Sequence, residues 1–183
     1  RSMNQTLEDD NKDSVSLLVR RRLPWLTIGL VGGLAATILS SKFEHVLSQN
    51  ISIAYFIPIV VYMADAVGTQ TENVYVRNLG TGHVKLSKYI AKELFLGVFL
   101  GAVFGAVIGG FAYAWLGNIH MAITVGLAFF ATMTTAPVIS LLIPAFLNKV
   151  HDDPAIGAGP ITTVIQDLLS ISIYFIIATI IML

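Results

Sequence analysis

The chain has 183 residues, of which 55% are hydrophobic and 12% charged, and its mean hydropathy is +0.77. Soluble domains carry about 25% charged residues, so the composition excludes an ordinary soluble domain and indicates an integral membrane protein. The formal net charge of zero gives no sign of a nucleic-acid partner, and the absence of cysteine excludes disulfides, thiolate metal sites and a cysteine nucleophile.

Residues 1–22 read as a polar cytoplasmic tail and residues 23–183 as one membrane domain. Arg1-Ser2 ahead of Met3 reads as an expression scar or the edge of a piece cut from a longer protein. The acidic patch Glu8, Asp9, Asp10 and Asp13 reads as solvated. No small-residue cleavage site follows the tail, so the first apolar run is expected to be a retained helix rather than a signal peptide. Five apolar runs are long enough to cross a bilayer. The first spans about Pro24 to Ser40, with Pro24 suited to a helix start. The second spans Ile53 to Arg77, the third Tyr89 to Trp115, the fourth Met121 to Leu147 and the fifth Ala158 to Leu183. Asp, Glu, Lys and Arg are absent between Leu94 and Asn148. Backbone groups in lipid must be satisfied internally, and the alternating polarity of a barrel is missing, so the predicted class is all-α with five transmembrane helices.

Lys and Arg set the expected orientation. Arg20, Arg21, Arg22, Arg77, Lys85, Lys88, Lys92 and Lys149 fall on one side and only Lys42 on the other, eight against one. The N-terminus is therefore expected in the cytoplasm and the C-terminus outside. Five helices are few to surround a pore, and a two-fold homodimer sharing one pathway would resolve this. Gly97, Gly101, Gly105 and Gly109 recur every four residues along the third span. They predict close helix packing, either inside the subunit or at a dimer seam.

Polar residues break the pattern in two places. In the second span Asp65, Thr69, Glu72 and Asn73 fall at i, i+4, i+7 and i+8, on one helix face. A polar stripe on the cytoplasmic half of a membrane helix reads as the lining of a water-filled vestibule. In the fifth span Asp167 is the only charged residue between Pro154 and Leu183. It lies nine residues beyond Ala158, or about 13–14 Å at 1.5 Å per residue, close to the midplane of a core roughly 30 Å thick. A carboxylate at that depth costs roughly 2.5–3.5 kcal/mol on insertion scales, which requires a partner, water or an ion in return. Gly159, Thr163, Asp167 and Ser170 share its face, with Gln166 adjacent.

The fourth span adds Thr132, Thr134 and Thr135 near Pro137 and Pro144, where proline frees backbone carbonyls. Carboxylates, hydroxyls, amides and carbonyls are oxygen ligands, which hard divalent cations prefer. Mg²⁺ in particular tends to keep several of its waters. One carboxylate from each of two subunits would balance such an ion across a two-fold axis. His45, His83, His120 and His151 are scattered and do not predict a zinc site, which needs converging ligands.

The segments ADAVGTQTENVYVRNLGTG and DDPAIGAGPITTVIQDLL, with RRLPWL, Phe43-Glu44, AYFIP and KELFLGVFLGAVFG, resemble the membrane domain of the MgtE family of magnesium channels. The resemblance runs from about Arg20 to the C-terminus. It implies a homodimer of five-helix subunits in the inner membrane, with a Mg²⁺ pathway on the dimer axis lined by the second and fifth spans. It puts the family's ion-binding aspartate on Asp167 and its Gly-Thr-Gln turn on Gly68, Thr69 and Gln70. The cytoplasmic mouth then falls near Gly159 and Pro160, and the Asp-Pro-Ala step is Asp153, Pro154 and Ala155. Asp65-Ala66 stands where many relatives carry Gly-Asn, and Gly159 where some carry Asn. Family members usually carry paired CBS domains that sense intracellular Mg²⁺; with only about 20 residues ahead of the first span, no such regulatory domain is expected in this chain, either because it was removed or because the protein is a naturally short member.

The expected metal-site residues are thus Asp167, Thr163, Thr69 and Asp65. Gly68, Gln70, Asn73, Gly159, Pro160, Gln166 and Ser170 are expected to line the pore. Divalent cations and membrane lipid are the expected partners, and no enzyme activity is expected. Three alternatives remain open at this stage. One is a transporter or exporter coupled to H⁺ or Na⁺. Another is an intramembrane aspartyl protease using Asp65 and Asp167 as a dyad, although Asp167 follows Val-Ile-Gln rather than the Gly-x-Gly of such enzymes. The last is a passive assembly module.

Overall fold

The computed structural model describes residues 14–79, 86–150 and 154–183, with side chains for all of these except 79, 148–150 and 154–158. The acidic tail patch, His83, Lys85, His151 and Asp153 lie outside the described residues, as do the side chains of Lys149, Pro154 and Ala155. Six helices and no strand are present among the described residues. They are α1 (Val15–Ser41), α2 (Glu44–Gln49), α3 (Ser52–Leu79), α4 (Leu86–Leu116), α5 (Ile119–Val150) and α6 (Pro154–Met182). All except α2 are long and apolar enough to cross a membrane. The five-span all-α class read from hydropathy is therefore the observed one, and the chain is a multi-pass membrane protein.

Two boundaries differ from the sequence reading. Pro24 does not start α1 but lies inside it, ten residues in, and residues 15–22 are helical rather than tail. Proline removes only one donor and frees one carbonyl, which a membrane helix tolerates, and the flanking Leu and Arg residues favour helix on both sides. The loop expected between the first two spans contains the short helix α2, which hydropathy windows are too long to see. Beyond it, Asn50 Oδ1 accepts a hydrogen bond of 3.0 Å from the Ser52 backbone N–H at the start of α3.

The bundle is organised around α5, which packs against α3, α4 and α6; α6 in turn packs against α1 and α3. The α4–α5 contact is built by the glycine repeat. A Cβ placed on Gly97, Gly101, Gly105 or Gly109 would stand 2.7–2.9 Å from the backbone oxygens of Met133, Phe130, Gly126 and Ala122 respectively. That is closer than any real side chain allows, so this stripe is an internal seam between α4 and α5. One of these oxygens, that of Met133, loses its helical donor because Pro137 has no N–H. Gly97 packs directly over it, allowing a Cα–H···O contact in place of the missing bond. The turn joining the two helices uses Gly117 at φ 64°, a left-handed position suited to glycine. Asn118 Oδ1 then accepts from the N–H groups of His120 and Met121 at 2.9 and 3.2 Å, capping α5.

Towards the opposite side of α5 the core gathers Ile53, Phe56, Val60, Met121, Val125, Phe129, Met133, Tyr174 and Phe175, all buried. Tyr174 donates its hydroxyl to the Ile53 carbonyl at 2.7 Å, tying α6 to the first turn of α3. Phe43 stacks on Phe175 with ring centroids 4.7 Å apart, docking the α1–α2 link onto α6. At the other end of α3, Asn78 donates to the Tyr89 hydroxyl at 3.1 Å, and Tyr75 meets the same ring edge-on. These pins fix α3 against α6 at one end and against α4 at the other. By contrast α1 is peripheral: its one buried residue is Gly32, against which Val164 of α6 packs.

The glycine seam gives a direct test of this packing. Gly105→Val must push α4 away from a backbone carbonyl that cannot move aside, and overpacking of this kind costs about 1–3 kcal/mol. Gly110 on the neighbouring face meets nothing within 4 Å, so Gly110→Ala is expected to change stability by no more than about 0.5 kcal/mol. Reversible unfolding in detergent, followed by circular dichroism, measures both.

Candidate functional site

The polar stripe of α3 and the Asp167 face of α6 meet along the contact between those two helices. Asp65 Oδ1 accepts a hydrogen bond of 3.2 Å from Thr163 Oγ1 across the seam. Asp65 also lies close enough to Asp167 for the two carboxylates to repel each other, and Glu72 repels Asp65 in the same way. All three carboxylates are half-buried. No Lys or Arg occurs anywhere in α6, and the one in α3 is Arg77 at its far end. The seam is thus a short column of negative charge, built by residues at i and i+7 on α3 facing one residue on α6. Among the described residues no three His, Asp or Glu side chains converge closely enough to cage a metal ion directly.

The other expected residues divide into two groups. Thr69, Gln70, Asn73 and Gly159 are exposed on the single chain and Pro160 is half-buried. Thr69 and Asn73 extend the stripe from Asp65 by one and two turns, on the side that the chain itself does not cover. Gly68, Gln166 and Ser170, also expected to line the route, are buried within the single chain. Successive helical residues point about 100° apart, so Gln166 turns inward where Asp167 turns to the seam. Its Nε2 donates to Ser170 Oγ at 3.1 Å, leaving both side chains in the wall behind the carboxylates. Gly68 faces α5, where an added Cβ would stand 2.5 Å from Ser140 Oγ, so its small size serves helix packing.

The fourth-span threonines also have local partners. Thr132, Thr134 and Thr135 donate to the carbonyls of Ala128, Phe130 and Ala131 at 2.8–3.0 Å, each four residues back in α5. This is the ordinary way a helix in lipid satisfies a hydroxyl. Among the described residues, the buried side-chain atoms Thr124 Oγ1, Ser140 Oγ, Thr162 Oγ1 and Gln166 Oε1 lack such a partner.

Sequence reasoning missed one polar contact altogether. Glu93 of α4 is buried and its Oε2 accepts a 2.9 Å hydrogen bond from Thr71 of α3, also buried. Glu93 falls inside the third span as drawn from the sequence, so a carboxylate within an apolar run was the available signal. Thr71 carried none, because a lone Thr in a membrane helix commonly bonds its own backbone. Glu72 was legible as part of the stripe but not as a neighbour of α6, where Thr162 approaches it.

Chemically the seam offers carboxylate and hydroxyl oxygens, a net negative potential and an open side. Such a donor set suits hydrated cations. A family model described as divalent cation transporter, MgtE, matches residues 57–177. The chain is similar to the magnesium transporter MgtE of Bacillus subtilis (strain 168), 36% identical over 162 residues that make up 87% of this chain and 36% of the relative. The Enterococcus faecalis protein of the same name is 34% identical over 88% of this chain and 36% of its own length. That of Thermus thermophilus is 24% identical over 86% and 35%. The chain spans little more than a third of the length of these relatives. The match takes in most of α3 and most of α6, the two helices that build the seam, together with the α4–α5 pair that supports them. This chain belongs to the MgtE family of divalent cation transporters and carries its transmembrane domain.

Proposed function

We propose that two copies of this chain form a Mg²⁺ channel in the inner membrane, with the ion passing along the α3–α6 seams where they face each other. Asp167 binds the ion near the midplane, and Asp65, Thr163 and Thr69 contribute further oxygens along the route. Gln70, Asn73, Gly159 and Pro160 line the cytoplasmic side, while Gly68, Gln166 and Ser170 back the wall. The observation that carries this reading is a column of half-buried carboxylates, with no cationic side chain beside it among the described residues, in helices long and apolar enough to cross a membrane. Buried charge of one sign needs compensation, and a passing divalent cation supplies it. The names of the relatives support Mg²⁺ as that cation.

The open side of the seam supports the homodimer. Exposed Thr69, Gln70 and Asn73 beside half-buried carboxylates would meet hydrocarbon on a lone subunit, and polar groups at that depth face protein or water. A second copy related by a two-fold axis encloses them and doubles the carboxylates around the ion. The excess of Lys and Arg on one side supports a cytoplasmic N-terminus. A membrane potential of 100 mV, negative inside, then favours entry of a doubly charged ion by about 4.6 kcal/mol, so no other energy source is required.

A second reading, coupled transport, is favoured by the proximity of Asp65 to Asp167, since two repelling carboxylates can share a proton. The two readings separate in patches with opposed H⁺ and Mg²⁺ gradients. A channel reverses at the Mg²⁺ equilibrium potential whatever the proton gradient, and a coupled carrier does not.

Two outcomes are expected. In cells lacking their own Mg²⁺ transport, Asp167→Asn removes charge with little change of shape and should lower Mg²⁺ uptake about ten- to a hundredfold; uptake at the wild-type rate would refute the ion-site assignment. Because the chain has no cysteine, single cysteines can report the dimer face directly. Asn73→Cys near the axis should cross-link to its own copy under oxidation, whereas Phe111→Cys on the outer face of α4 should not. Disulfides form only where Cα atoms approach within about 7 Å.

A further inference from the structure

One carboxylate of the seam stands apart from the Asp65–Asp167 pair. Glu72 lies seven residues further along α3 than Asp65, about 10 Å towards the Arg77 end of the helix. From α6, Thr162 approaches this carboxylate without completing a hydrogen bond. Thr162 is only 4% exposed, and its Oγ1 is buried with no partner. Thr124 Oγ1 of α5 is likewise buried without a partner, but the usual arrangement in these helices is different. Thr27, Thr37, Thr132, Thr134, Thr135 and Thr179 all donate to a carbonyl four residues back in their own helix. Thr163, next along α6, donates instead to Asp65. The Thr162 hydroxyl is thus left unsatisfied beside a carboxylate that has no cationic neighbour among the described residues.

We propose that Glu72 and the Thr162 hydroxyl hold a second hydrated divalent cation, on the Arg77 side of the Asp65–Asp167 pair. Mg²⁺ is commonly bound through one or two carboxylates while keeping several waters. A carboxylate accepting from those waters, with a hydroxyl as a further outer-sphere partner, matches that pattern. The absence of any converging trio of His, Asp or Glu among the described residues is consistent with such a water-mediated site and not with a dehydrated cage. Two ions held about 10 Å apart repel one another. Arrival of one would therefore promote departure of the other, which is how a pore combines binding with throughput.

This inference rests on the reading of the seam as a cation path, and calorimetric titration of the purified full chain with Mg²⁺ tests the two separately. Wild type should show two classes of site. Glu72→Gln should weaken one class about ten- to a hundredfold and leave the other, while Asp167→Asn should do the reverse. Thr162→Val, which keeps the shape and removes the hydroxyl, should weaken the same class as Glu72→Gln, and Glu72→Asp should retain it. If Glu72→Gln leaves both classes intact while Asp167→Asn removes one, the second site is overturned and the path through Asp167 stands. If Asp167→Asn changes nothing while Glu72→Gln removes a class, the Glu72 site stands and the midplane assignment fails. Should Glu72→Gln not fold, Thr162→Val decides alone: two unchanged classes would overturn the proposal.

Discussion

Two adjoining membrane helices carry three carboxylates, with Asp65 in electrostatic reach of both Asp167 and Glu72, and their sole basic residue is Arg77, at the far end of α3. Removing carboxylates from water costs several kcal/mol each even after local relaxation, and repulsion among like charges adds to that. Among the described residues the surrounding packing returns little of that energy: the Thr163–Asp65 hydrogen bond is a single 3.2 Å contact. Most other features of the bundle can be understood as ways of tolerating this column and leaving one side of it open.

The supporting structure is stiff where it must be. The glycine seam presses α4 onto α5 at backbone contact, and α5 presents a mostly apolar face, with Ser140 opposite Gly68, to α3 and α6. Tyr174 and Phe175 lock the end of the bundle where α3 begins, while Asn78, Tyr75 and Tyr89 lock the end where it finishes. Pinned at both ends, α3 holds Asp65 and Glu72 at fixed heights against α6. The buried Thr71–Glu93 bond adds a polar tie behind them, on the side facing α4. The peripheral helix α1 contributes little to this frame beyond its contact at Gly32 and Val164.

Much of this was legible in the sequence, for identifiable reasons. Spans of about 20 apolar residues are set by bilayer thickness, so the five crossing helices could be read directly. Asp167 stood out because a single charge in a long apolar run has few explanations, and the four-residue glycine period announced a close contact without saying with what. Other features depended on tertiary facts. Which way Gly68, Gln166 and Ser170 turn is decided by how α5 and α6 pack, and a one-residue offset moves a side chain from the seam into the wall. Pro24 misled as a helix start, because proline tolerated within a long helix and proline at its first turn look alike in one sequence. Thr162 was silent, since a membrane threonine usually bonds its own helix, and its departure from that habit is visible only in three dimensions.

The proposed path requires a divalent ion between two facing copies of the chain. Anomalous scattering from crystals of the protein grown with Mn²⁺, a heavier ion of the same charge and oxygen preference, locates it directly. A peak between the Asp167 carboxylates of two copies facing each other through α3 and α6 is the predicted result. Copies that meet through other faces, leaving Asp167 without an ion, would contradict it.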